Sequence, residues 1–188
     1  METVQGVLRR TRANQRRQKL TNCLGTLRAT FYLDNDPDNI APVVDFVQQI
    51  VGGLELSDET EQIRAGVALE EALVQAICHG NLELTAEDLD RGRIAGPGGL
   101  KKVIAERRSI PRYRDRKIEL EIHVTNSTAR FVIRNAGEGF DRSSCRFTRQ
   151  DCFEKGNGIG VALMNILMDS VSYNDAGNEV TLIKVSKN

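Results

Sequence analysis

The chain has 188 residues, 40% of them hydrophobic, and its formal net charge is zero. That suffices for one compact domain with a tail, and no apolar run approaches the length of a membrane span. Cys23, Cys78, Cys145 and Cys152 form no C-x-x-C pair and only two histidines accompany them, which argues against a structural metal site or a disulfide framework and makes a reducing cytoplasm the expected setting.

The charge is unevenly spread. Residues 1–20 hold six basic side chains against Glu2, a net of +5. With no aromatic side chain to stack on a base, this start reads as a solvated arm over 1–22 and not as a nucleic-acid contact. The domain proper then occupies 23–188. Thr26 to Leu33, TLRATFYL, predicts a strand ended by the turn-rich DNDPDN. Asp38 or Asn39 is expected to cap a helix over 40–52, with Pro42 in its first turn and Gly52-Gly53 as its stop. Ser57 is the expected cap of a second, longer helix that runs to about His79 and is ended by Gly80-Asn81.

This second helix is the organising element. Ile63, Val67, Val74 and Ile77 predict its buried stripe, and Glu71, Gln75 and His79 fall four apart on another face. A file of polar groups beside a buried stripe suits a ligand cleft, and it equally describes an ordinary exposed helix face. Residues 84–112 follow as an insertion, with a helix expected after Thr85, a break at Gly96-Pro97-Gly98-Gly99, and a second helical stretch closed by Pro111. Lys101, Lys102, Arg107 and Arg108 make it basic, so it is either a solvated insertion or a docking surface for an acidic partner.

The period then changes. KIELEIHVT, 117–125, alternates strictly, and TARFVIRN, 128–135, follows after Asn126-Ser127, which predicts an antiparallel hairpin. Residues 142–157 are polar and irregular. A helix is expected over 158–171, with Ile159, Leu163, Ile166 and Leu167 inward and Met164 and Met168 flanking them as core filler. A turn over 173–178 leads to the last strand, Glu179 to Val185. The sum predicts an α+β fold, a layer of helices on one face of a mostly antiparallel sheet.

Two glycine clusters stand out. Asn135-Ala136-Gly137-Glu138-Gly139 leaves a strand with an amide at its mouth, and Gly156, Gly158 and Gly160 run straight into a helix. Backbone N–H groups at such a helix start converge on an anion. Neither the P-loop nor the dinucleotide fingerprint fits the spacing.

The order and spacing of ALEEALVQAICHGN, RNAGEGFD and GNGIGVALMNILMDSV resemble the N box and the two glycine boxes of the GHKL ATPase superfamily. Gyrase, heat-shock chaperone, histidine-kinase and mismatch-repair ATPase domains belong to that superfamily. The branch the chain resembles is that of the anti-sigma-factor serine kinases, and YNDAGNEVTLIK is similar to that branch's last hairpin. The resemblance covers about Leu27 to Val185. It implies a two-layer α/β sandwich of the Bergerat type, with ATP and Mg²⁺ as cofactors. Glu71 matches the general base, and Gln75 falls where the family has an asparagine that holds Mg²⁺, a doubtful metal ligand because its longer side chain displaces the oxygen. Asn135 falls where the family has an aspartate accepting the adenine amino group; its amide lacks the charge and carries an NH₂ that suits guanine O6. Gly137 and Gly139 are expected behind the base. Gly156, Gly158 and Gly160 are expected at the phosphates, with 142–157 as the ATP lid and Lys155 and Arg142 in it as candidate phosphate contacts. The implied partner is a sigma-factor-like or anti-sigma-antagonist-like protein, a homodimer is allowed, and no membrane is involved. The implied activity is transfer of the γ-phosphate to a partner serine. Because Gln75 and Asn135 both depart from the family pattern, a non-catalytic nucleotide-binding, partner-switching module with a degenerate Mg²⁺ site is the alternative.

Overall fold

Alternating side chains build the sheet. In β2 (Ile118–Thr125), Ile118, Leu120, Ile122 and Val124 are buried and the residues between them are not, the pattern of a strand with one covered face. It pairs antiparallel with β1 (Thr26–Leu33) and, through the Asn126-Ser127 turn, with β3 (Thr128–Arg134). Two further strands, β4 (Ser170–Tyr173) and β5 (Glu179–Val185), complete the order β1-β2-β3-β5-β4, antiparallel throughout. The computed structural model describes residues 23–53, 59–139 and 159–186. The expected arm over 1–22, the Ser57 cap, and the segment 142–157 with Lys155, Gly156 and the neighbouring Gly158 lie outside the described residues.

The helices α1 (Ile40–Gly53), α2 (Glu59–Gln75) and α6 (Ile159–Leu167) cover one face of the sheet, α2 packing between the other two. This is the two-layer, Bergerat-type sandwich. Phe31 of β1 meets Phe46 of α1 edge to face, with ring centroids 5.5 Å apart. Asp36 caps a short 3₁₀ turn, Pro37–Asn39, that feeds α1, its side chain accepting from the Asp38 N–H. Among the described residues no helix is long and apolar enough to cross a membrane.

Three local expectations are corrected. Of the expected stripe, Ile77 is buried and Val74 packs against the core, but Ile63 and Val67 are 53% and 36% exposed, and the buried face of α2 runs through Ala65, Ala68, Leu69, Ala72, Leu73 and, just beyond the helix, Ala76. Held between two neighbours on a sheet, the helix is oriented by the packing of all three, and alanines beside two leucines let it approach closely. In α6, Ile159 and Ile166 are more than half exposed, and Val161, Met164 and the following Met168 are buried in their place. The same helix ends at Leu167, because pairing with β5 captures the chain. The Asp169 N–H donates to the Ile183 carbonyl at 3.0 Å, and Ser170 and Val171 belong to β4.

Residues 84–112 fold as a packed unit. Helix α3 (Ala86–Ile94) starts at a Thr85–Asp88 capping box, and α4 (Gly99–Arg108) crosses it so closely that a Cβ on Gly99 would stand 2.2 Å from the Gly92 carbonyl oxygen. Pro111 opens a short α5 (Pro111–Arg114) whose Tyr113 is buried, with the guanidinium groups of Arg107, Arg112 and Arg116 at 5.2–5.5 Å from its ring. Three of the four bases considered for partner docking are engaged within the chain: Lys101 with Asp38 at 3.0 Å, Arg108 with Asp36 at 3.1 Å, and Arg107 with Asp88.

The carboxylates that fasten this unit sit below their ordinary range. Asp36 and Asp88 are lowered chiefly by backbone N–H donors, from Asp38 and Thr85, and Glu83 chiefly by its hydrogen bond from Arg116. A lowered folded-state value contributes stability that is present above the ordinary values of 3.8 and 4.5 and is lost as the pH falls through the lowered ones. Amide exchange over 84–116, corrected for intrinsic rates, is therefore expected to rise on acidification below about pH 4 before the sheet loses protection. Simultaneous loss in both regions would contradict this.

Candidate functional site

The site begins where α2 ends. After Gln75 the backbone widens over Ala76–Asn81 into a π-type turn, and the Leu82 N–H reaches the Ile77 carbonyl, five residues back, at 2.9 Å. Glu71 and Gln75 are half-buried, with Gln75 Nε2 donating to Glu71 Oε1 at 3.2 Å, while His79 is exposed at the rim. Cys78 points inward. Burial, and secondarily the Glu71 charge, push its thiol up to about 11, so it stays protonated and is no nucleophile at neutral pH.

An open cleft of about 530 Å³ lies between this turn, the end of β3 and the β4–β5 turn, lined among others by Ala76, Gly80, Asn135, Gly139, Tyr173 and Asn178. Its base is held by backbone. The Asn135 N–H donates to the Asn178 carbonyl at 2.9 Å, and Asn135 Oδ1 accepts from the Gly137 N–H at 3.0 Å. A Cβ on Gly80 would stand 2.4 Å from Asn135 Cγ, and one on Gly137 would stand 2.3 Å from the Gly80 carbonyl oxygen. Gly139 has φ +80°, and a Cβ there would lie 1.8 Å from the Ala176 carbonyl oxygen. The first glycine box is thus pressed between the end of the N box and the last hairpin with no room for side chains.

Beside Gln75, which lines the cleft, Glu71 and Gly160 come together. A Cβ on Gly160, in the first turn of α6, would stand 1.8 Å from Glu71 Oε1 and 2.5 Å from Gln75 Nε2. The structure therefore gathers Glu71, Gln75 and Gly160 in one group, and Asn135, Gly137 and Gly139 in another. Gly160→Ala is expected to leave the melting temperature within a few degrees, since the atoms it meets are flexible side-chain ends. It should displace the Glu71 carboxylate and weaken nucleotide binding about tenfold or more (~1.4 kcal/mol). Unchanged affinity would show that Glu71 and Gly160 do not share a ligand.

Sequence reasoning missed the support beneath the site. Asn81 and Asn35 are 0% and 1% exposed. Asn81 Oδ1 accepts from the Ala136 N–H at 2.7 Å, its Nδ2 donates to Asn35 Oδ1 at 2.7 Å, and Asn35 Nδ2 donates to the carbonyls of Tyr113 at 2.9 Å and Arg116 at 3.2 Å. Arg116 returns a bond to the Asn81 carbonyl at 2.8 Å and pairs with Glu83, whose φ is +48°. The available signals were Asn35 within a run read only as a turn and Asn81 read as a helix stop and the last residue of the N box. Tyr173 and Asn178 likewise lay in a stretch read as a connection.

A nucleotide fits these residues: Gly80, Gly139 and the Asn135 amide line a cleft, and next to its Gln75 a carboxylate stands beside a helix start. Among the described residues no three His, Cys, Asp or Glu side chains gather to hold a metal ion. The side-chain donors beside Gly160 are the Gln75 amide oxygen and the Glu71 carboxylate, a set that suits Mg²⁺ only together with phosphate oxygens. Comparison with curated proteins returns no match. The family model described as "Histidine kinase-like ATPase domain" matches residues 33–184, nearly the whole sandwich, and the chain belongs to that family.

Proposed function

We propose that this domain is a nucleotide-dependent regulatory protein of the anti-sigma-factor serine-kinase type. It binds ATP in the cleft, docks a sigma-factor-like or antagonist-like protein in the cytoplasm, and passes the γ-phosphate to a serine of that partner. The observation that supports this best is the close approach of Glu71 to Gly160, a half-buried carboxylate against bare backbone in the first turn of a helix, where phosphate is favoured. Glu71 would take the proton of the attacking hydroxyl, and the Gln75 hydrogen bond orients its carboxylate. Mg²⁺, when bound, neutralises charge on the phosphates, with Gln75 Oε1 as the assigned side-chain ligand.

The test follows release of ADP and labelling of candidate partners from ATP radiolabelled on its γ-phosphate. Glu71→Gln should lower turnover by about 10² or more with nucleotide affinity retained. Equal turnover in both proteins would remove Glu71 as the base.

The second reading, a non-catalytic partner-switching module, is favoured by the same Gln75–Glu71 hydrogen bond. It occupies one carboxylate oxygen and turns the amide NH₂, not its oxygen, toward the base. Tight ATP binding with no ADP release and no labelled partner would establish it.

A further inference from the structure

We propose that the cleft does not select adenine and takes 6-oxopurine nucleotides, those of guanine and hypoxanthine, alongside ATP. This deepens the nucleotide-binding reading and rests on it. The deciding group is the Asn135 side chain, which lines the cleft.

The orientation of that amide is set by its neighbours. The Gly137 N–H donates to it at 3.0 Å, and a donor can be answered only by the amide oxygen, so Oδ1 and Nδ2 are distinguished. Contact with Gly80, whose Cβ would fall 2.4 Å from Asn135 Cγ, holds the amide plane in place. Oδ1 keeps a second lone pair, so the amide edge offers an acceptor at Oδ1 and a donor at Nδ2. Among the described residues no acceptor takes its protons.

A carboxylate in this position would have only acceptors and would demand a donor edge, the exocyclic amino group of adenine. An NH₂ instead meets an acceptor. It can pair with O6 of guanine or hypoxanthine, or with N1 of adenine, so this contact carries no penalty against a 6-oxopurine. The Glu179 carboxylate does not restore one. Glu179 also lines the cleft, but its Oε2 is bound by Arg134 Nε at 2.5 Å, and a guanidinium on the carboxylate leaves it a weaker acceptor. Discrimination of a hydrogen-bonding base edge depends on leaving a wrong partner unpaired, and here neither purine edge is left so.

The experiment is calorimetric titration of the full chain with non-hydrolysable triphosphates of adenosine, guanosine and inosine, repeated on Asn135→Asp. The wild-type affinities are expected to lie within about threefold of one another, and Asn135→Asp should favour adenosine by about tenfold or more. Inosine binding equal to adenosine with weak guanosine binding would uphold the edge contact and narrow the class to hypoxanthine, which lacks the 2-amino group. Wild-type preference for adenosine above tenfold over both others would overturn the proposal, as would an Asn135→Asp protein with an unchanged ratio. If that variant does not fold, the wild-type ratio decides alone. Binding of none of the three would sink the nucleotide reading itself, a result distinct from tight, adenosine-selective binding.

Discussion

Lys184→Met should destabilise the domain by about 3–5 kcal/mol, the cost of removing one partner from a buried ion pair. Lys184 lies on the core face of β5 beside Val180 and Leu182 and is 4% exposed. Its ammonium meets the Glu61 carboxylate of α2, donates to the Leu167 carbonyl at 3.2 Å, and lies 3.7 Å from Asp169 Oδ1. One charge thus joins the last strand, the start of the central helix and the end of α6, where a cation also complements the helix dipole. Methionine keeps the volume of the stem, so the loss reports the charge and its hydrogen bonds. Arg64, half-exposed and 2.7 Å from Glu61 Oε1, stays paired with that carboxylate, while the Leu167 carbonyl loses the Lys184 donor. Urea denaturation checks the figure. Adding Glu61→Leu should recover most of the loss, because a buried pair exchanged for apolar groups is nearly neutral. A single-variant change under about 1 kcal/mol would mean that the pair contributes nothing net.

Asn81→Leu should cost about 2–4 kcal/mol, since it strips a buried amide oxygen and a part-buried N–H of their partners at once. These are the Ala136 N–H and Asn35 Oδ1, each 2.7 Å from the Asn81 amide. The effect should reach the cleft, because Ala136 follows Asn135, and it should reach α5, because Asn35 holds the carbonyls of Tyr113 and Arg116. The measurement pairs thermal denaturation with nucleotide titration. Lower stability, weaker binding and faster amide exchange over 84–116 are expected together. Lost stability with unaltered affinity would show that this network supports the fold without setting the shape of the cleft.

The alternation of KIELEIHVT determined β2 and its covered face unaided, because a strand's two faces are written at a spacing of two residues. The three glycine-bearing and N-box motifs were enough to mark the family, and the four-residue spacing of Glu71 and Gln75 was enough to stack them. What periodicity could not supply was which side of α2 faces inward. Hydrophobicity pointed to Ile63 and Val67, whereas the geometry of three helices on one sheet selected the face of Ala65, Ala68, Leu69, Ala72 and Leu73. The same holds for β4, which exists because β5 offers an edge, and for Lys184, whose place in the alternation of β5 is legible while its burial depends on Glu61 arriving from α2. Asn35 and Asn81 are 46 residues apart and carry no local signature of each other. Their side chains became a support for the site only when the tertiary fold excluded water and left each as the other's partner.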